Sequence, residues 1–154
     1  MALEIERKFL VDSQRLGALG DGEMICQGYI PTATKTAVRV RIKGANAYLT
    51  IKGENRGAVR AEFEYPIPLA DAEIMLEQLC TGPKIEKTRY TLTLASHCWE
   101  IDIFHGNNEG LIVAEVELDN EHEALPLPPW VTAEVTDDPR YYNVNLLHHP
   151  FCDW

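Results

Sequence analysis

The sequence predicts an α+β chain dominated by antiparallel β-structure: an eight-stranded barrel closed into a tunnel, with helices packed outside. Three observations predict it. About eight segments alternate in polarity with a period of two, most connections between them are short and turn-like, and only one stretch carries a strong helical period. The alternating segments run over residues 3–11, 24–30, 36–43, 47–53, 59–67, 87–94, 98–105 and 111–118. Gly44-Ala45-Asn46, Glu54-Asn55-Arg56-Gly57 and Gly106-Asn107-Asn108-Glu109-Gly110 read as hairpin loops. The helix falls at about 69–81, where Leu69, Ala72, Leu76 and Leu79 recur at helical spacing before Gly82-Pro83 stops the run. A second helix is expected near 137–148, with Asp137 or Asp138 as its cap and Pro139 in its first turn. Short helical turns are expected at 13–19 and 120–125, and Pro126 to Pro129 form a stiff connection.

The polar positions of these strands are sorted by sign. Glu4-Ile5-Glu6-Arg7-Lys8 places two carboxylates and an ammonium on one face of the first strand, with Ile5, Arg7 and Phe9 on the other. The alternation recurs at Arg39/Arg41, Thr50/Lys52, Glu62/Glu64, Lys87/Arg89, Glu100/Asp102 and Glu115/Glu117. A solvated sheet face would ordinarily mix its signs. One reading puts these charges outside and fills the barrel with Val38, Val40, Ile42, Leu49, Ile51, Phe63, Tyr65, Ala114, Val116 and Leu118. The opposite reading is favoured, because helices need an apolar outer wall to pack on. The inward set also balances: Glu4, Glu6, Glu62, Glu64, Glu115 and Glu117 against Lys8, Arg39, Arg41, Lys52, Lys87 and Arg89 sums to zero. Divalent cations and a polyanion would keep that balance when bound.

At 154 residues and 45% hydrophobic content, residues 1–154 are expected to form one domain burying about two-thirds of its unfolded surface. Cys26, Cys80, Cys98 and Cys152 show no C-x-x-C spacing, so free thiols in a reducing cytoplasm are expected. Charge in the first residues and the lack of any apolar run near the roughly 18 residues of a span argue against a signal peptide or membrane segment. A net charge of -10 excludes long-range attraction to nucleic acid or an anionic membrane, although a small anion fits a local basic pocket. Nothing in the pattern fixes the oligomeric state, and a homodimer stays open. His148-His149 point too far apart on a helix to chelate well, and His97, His105 and His122 sit at turns.

The pattern resembles the CYTH superfamily, the triphosphate tunnel metalloenzymes, and most of all its short bacterial inorganic triphosphatases. The likeness rests on Glu4-x-Glu6-x-Lys8, Gln27-Gly28-Tyr29, Arg39-Val40-Arg41, Leu49-Thr50-Ile51-Lys52-Gly53, Glu62-Phe63-Glu64, Glu86-Lys87-Thr88-Arg89-Tyr90, Ala114-Glu115-Val116-Glu117 and Asp137-Asp138-Pro139-Arg140-Tyr141-Tyr142-Asn143. The resemblance implies an eight-stranded tunnel that hydrolyses a small-molecule triphosphate. Lys8, Arg39, Arg41, Lys52, Lys87 and Arg89 would grip phosphate, and Glu4, Glu6, Glu62, Glu64, Glu115 and Glu117 would hold one or two Mg2+ or Mn2+ ions. Lys8 and Glu6 are the residues expected nearest the chemistry. Glu100 and Asp102 stand evenly between lumen and structural roles; Tyr29 and Tyr90 are within reach of the lumen but fit packing roles better. Inorganic tripolyphosphate is the expected substrate. The alternatives are a class IV adenylate cyclase, a thiamine-triphosphatase, or a non-catalytic module that binds polyphosphate or nucleotide, which would tend to lose carboxylates that are all retained here.

Overall fold

The computed structural model describes residues 3–80 and 82–154. Eight antiparallel strands form the barrel: β1 (Leu3–Val11), β2 (Glu23–Ile30), β3 (Ala37–Lys43), β4 (Asn46–Lys52), β5 (Val59–Ile67), β6 (Ile85–Leu94), β7 (His97–Phe104) and β8 (Ile112–Glu117). Their spatial order is β5-β4-β3-β2-β6-β7-β8-β1, closed by pairing of β1 with β5. All eight lie within two residues of the alternating segments, because strict period-two patterning fixes which residues share a face. A ninth strand, β9 (Val131–Glu134), was not expected. Its four residues are too few to alternate recognisably, and it exists because β1 offers it an edge.

That edge is shared. Leu3 to Ile5 of β1 pair with Ala61 to Val59 of β5, whereas Phe9 and Val11 pair with Glu134 and Val131 of β9. Between the two partners, the backbone amide of Glu6 donates to Ala58 O, and that of Lys8 donates to Thr136 Oγ1. The other edge of β1 runs unbroken against β8, with Glu6 opposite Glu117 and Lys8 opposite Glu115.

The apolar core lies mostly outside the barrel wall, as the inward-charge reading requires. Helix α2 (Leu69–Gln78) covers one flank, burying Ala72 and Leu76 against Val40 and Ala47. The expected end of this helix at Thr81 lies outside the described residues. Gly28 permits the approach of the chain beyond α2, since a Cβ there would meet Cys80 and Lys84 at 3.0 Å. On the opposite flank Phe9, Trp99, Ile101, Ala114, Val116 and Trp130 pack together, and Trp99 meets Trp130 edge-on at 5.3 Å. The short helix α1 (Ser13–Leu16) is capped by Asp12, whose side chain accepts from Gln14 N.

A third cluster belongs to the tunnel itself. Ile85, Phe104 and Val113 share the inward parity of Lys87, Asp102 and Glu115 on the same strands, and Tyr141, Leu146 and Leu147 pack onto them. The C-terminal segment therefore stoppers one end of the barrel with apolar side chains. It is not the single helix expected over 137–148. A 3-10 turn, Pro139–Tyr141, capped by Asp138, is followed by extended Tyr142 and then by α3 (Asn143–His148). The break frees the Tyr141 carbonyl, which accepts from Lys8 Nζ at 3.1 Å. Residues 120–125 hold a turn instead of the expected helical turn; Asn120 Oδ1 accepts from His122 N and Glu123 Oε1 from Asp119 N, side-chain bonds that compete with a helix. Among the described residues, no helix is long and apolar enough to cross a membrane.

Candidate active site

Closure turns the sequence alternation into two opposed walls. Strands β8, β1 and β5 are contiguous and carry Glu115, Glu117, Glu4, Glu6, Glu62 and Glu64; strands β4, β3, β2 and β6 are contiguous and carry Lys52, Arg39, Arg41, Lys87 and Arg89. Lys8 on β1 and Arg60 on β5 stand as cations on the acidic wall. All of these residues line one cavity of about 230 Å³. Glu100 also lines it, but Asp102 does not: it is completely buried in the basic wall. Tyr29 reaches the cavity, whereas Tyr90 packs outside against the Trp99 cluster. His97 contacts Glu123 and His105 contacts Thr88, away from the tunnel.

The ion pairs run along the strand registers. Lys52 Nζ bridges Glu4 (3.1 Å) and Glu62 (3.0 Å), Arg39 reaches Glu64 at 3.3 Å, and Lys8 approaches Glu115 at 3.7 Å. Asp102 accepts two hydrogen bonds from Arg89, at 2.7 and 2.8 Å, and pairs with Lys87 at 2.7 Å. Arg41 is different. Buried at 8% exposure, it has no carboxylate within ion-pair distance among the described residues, and its Nε donates only to Gln27 Oε1 at 2.7 Å. The Nε atoms of Arg39 and Arg60 are buried without any hydrogen-bond partner. Unspent guanidinium donors on Arg39 in the basic wall and on Arg60 in the acidic wall suit an anion.

Burial, followed by the repulsion of Arg39 and Arg89, lowers Arg41 to about 10. Burial likewise lowers Lys87 to about 7, against the pull of Asp102. For Asp102 burial works upward, but Lys87 and Arg89 prevail and hold it at about 2. On the acidic wall, burial raises Glu4 to about 7 despite Lys52, with its neighbour Glu62 adding to the rise; Glu62, although burial opposes it, is held at about 2 by Glu4 and Lys52. Glu6 is raised well above the usual range by burial and by Glu115, while Glu115, against its burial, is held well below it by Lys8 and Glu6. In each of these two pairs one carboxyl is raised and its neighbour lowered, so the two titrate as a unit. Among the described residues no three Asp, Glu, His or Cys side chains converge on one point, because the glutamates turn toward lysine and arginine partners. These neighbouring carboxyls all the same form a hard-oxygen donor set that a divalent cation fits.

Several residues of the site carry no charge pattern to betray them. Gln27, Thr50, Asn55, Thr136, Tyr142 and Asn143 line the cavity or hold its cations. Arg60 was legible and missed: it precedes Glu62 and Glu64 in the same alternation, and it faces Glu4 in register. A second cavity of about 620 Å³ adjoins the first, sharing Tyr29, Ala37, Asn55, Arg60, Tyr142 and Val144 with it.

The sequence profile of the CYTH domain matches residues 2–142. An inorganic triphosphatase of Acetivibrio thermocellus is 44% identical over 151 residues, covering 98% of this chain and 97% of that protein. One of Nitrosomonas europaea is 38% identical, covering 93% of this chain and 95% of its own length. A crystal structure of an inorganic triphosphatase aligns with a TM-score of 0.67 at 36% identity, over 96% of this chain and 95% of that one.

Proposed function

The chain belongs to the CYTH domain family, and from that premise we propose that it is an enzyme hydrolysing inorganic tripolyphosphate to pyrophosphate and phosphate inside the barrel. The observation that carries this reading is the pair of opposed charged walls, with Arg41 and the Nε of Arg39 buried and lacking a counter-anion. In the reaction a water oxygen bonds to a terminal phosphorus, the bridging P–O bond breaks toward the pyrophosphate, and one water proton is released.

Lys52, Arg39, Arg41, Lys87 and Arg89 neutralise and orient the phosphate chain; the arginine forks accept it two oxygens at a time. Lys8, a cation on the acidic wall 3.7 Å from Glu115, would contact phosphate beside the carboxylates, and Glu6 two residues before it is the raised carboxyl best suited to exchange a proton with water. Glu4, Glu6, Glu62, Glu64, Glu115 and Glu117 would hold Mg2+ or Mn2+. Such an ion, when bound, screens phosphate charge and acidifies water. The apolar stopper of Tyr141, Leu146 and Leu147 keeps bulk water from one end of the tunnel.

One observation favours a second reading, hydrolysis of an organic triphosphate: the adjoining cavity offers Ile30, Val38, Tyr142 and Leu147 to a group attached to the phosphates. Assays with tripolyphosphate, ATP and thiamine triphosphate, each with Mg2+ and Mn2+ and with products identified, separate the two. Phosphate release fastest from tripolyphosphate is expected. Cyclic AMP as the main product from ATP would sink the hydrolase reading.

The carboxyl pairs make metal binding dependent on pH. A carboxyl whose value is raised on folding stabilises the protein below the unfolded range near 4.5, and this is lost as pH rises through about 7 for Glu4. A cation must displace that proton. The rise in Tm produced by Mg2+ should therefore be larger at about pH 8 than at about pH 6. An equal or smaller rise at the higher pH would show that these glutamates do not receive the metal.

A further inference from the structure

Two neutral amides tie the basic wall together. Lys87 Nζ donates to Asn143 Oδ1 at 2.9 Å, on the first turn of α3, as well as pairing with Asp102 at 2.7 Å. Gln27 Nε2 donates to the same Asn143 oxygen at 3.3 Å and to Tyr29 Oη at 3.2 Å, and Gln27 Oε1 accepts from Arg41 Nε at 2.7 Å. Gln27 is completely buried and lies on β2, the strand between β3 with Arg41 and β6 with Lys87. The result is one bonded chain, Lys87–Asn143–Gln27–Arg41, that spans three strands and the C-terminal helix.

We propose that Asn143 and Gln27 are positioning residues for the anion site, fixing the spacing of Lys87 and Arg41 and aiming their remaining N–H groups into the tunnel. The proposal rests on the reading of the basic wall as the phosphate site. An ammonium has three N–H directions, and Asp102 with Asn143 takes two, which holds the Nζ in place at the edge of the cavity that Lys87 lines and leaves one N–H uncommitted to either. A guanidinium is planar, so fixing Nε–H on Gln27 also sets the plane of both terminal nitrogens of Arg41. Amides suit the task because they accept hydrogen bonds without bringing negative charge. A carboxylate in either place would compete with phosphate for the same two cations, and a hydrocarbon would leave their donors unheld.

The test uses the full chain with Asn143→Asp, Gln27→Glu, Asn143→Leu and Gln27→Leu, measuring kcat and KM for tripolyphosphate, Tm, and the rise in Tm with added tripolyphosphate. The acid variants keep shape and acceptor but add charge, and Gln27→Glu also loses the donor to Asn143 and Tyr29. They should raise KM by about tenfold or more with kcat within about threefold, and Asn143→Asp should melt no lower than the parent. The leucine variants should lose about tenfold or more in kcat/KM, and the acid variants should recover their kcat. Acid variants with parental KM and a parental ligand-induced rise in Tm would overturn the proposal, as would folded leucine variants with parental kcat/KM. A parent that binds tripolyphosphate without hydrolysing it would defeat the proposed activity alone, because the rise in Tm still reports on positioning.

Discussion

Replacing Arg41 with alanine is expected to remove about 2–4 kcal/mol of transition-state binding, roughly 30- to 1000-fold in kcat/KM for tripolyphosphate, while leaving the ligand-free protein no less stable. The two halves of this expectation come from one fact: Arg41 is a buried cation paired with an amide and with no carboxylate. For a base whose folded value lies near 10, below the ordinary 12.5, the cost of charging in the fold is fully present at neutral pH. It is relieved only as pH climbs through that interval. The depression corresponds to a destabilisation on the order of 3 kcal/mol, and truncation removes it in exchange for the lost packing of the side-chain stem. Arg39, which keeps Thr50 and Glu64, should show a similar loss of rate with less relief of stability. Measuring kcat/KM beside Tm, with and without tripolyphosphate and Mg2+, decides it. An Arg41→Ala protein that hydrolyses at the parental rate, or shows the parental ligand-induced rise in Tm, would remove this strand from the anion site.

Why the barrel was legible and parts of the site were not follows from what each signal measures. Period-two alternation fixes which residues share a face, so Arg39 with Arg41 and Glu115 with Glu117 fall together whatever the topology. It does not say which strands are neighbours. The separation into an acidic wall on β8, β1 and β5 and a basic wall on β4 to β6 is a product of strand order, which no local window contains. The charge balance pointed inward correctly, yet it could not separate Glu100, which lines the cavity, from Asp102, which is buried behind it. Gln27 and Asn143 stood in the family-like motifs without a role, since a neutral amide leaves no mark on a charge pattern. The break at Tyr142 was hidden for another reason. It answers to Lys8, more than a hundred residues away in the chain, whose ammonium takes the freed Tyr141 carbonyl.

Asp102→Asn should have the opposite outcome to Arg41→Ala: a large loss of stability, about 3–5 kcal/mol, before any loss of chemistry is considered. Asp102 is completely buried and is the anion shared by Lys87 and Arg89. Neutralising it leaves Lys87 without its carboxylate and Arg89 with the partly exposed Glu100 alone, beside Arg41 in a wall already short of negative charge. For a chain of this length the deficit corresponds to a fall in Tm on the order of 10 °C. Its pH dependence identifies the cause. Lys87 is depressed to about 7 even with Asp102 present, so without it the amine sheds its proton more readily still. A base with a lowered folded value carries its full penalty below that value and is relieved as pH rises toward the unfolded range. The gap in Tm between variant and parent should therefore be wide near pH 6 and narrower near pH 9. Added tripolyphosphate should also raise the Tm of the variant more than that of the parent, because phosphate restores the missing anion charge. A variant that melts with the parent, or whose deficit is independent of pH, would show that Lys87 and Arg89 do not depend on Asp102 for their charge, and the division of the basic wall into structurally paired and ligand-directed cations would fail.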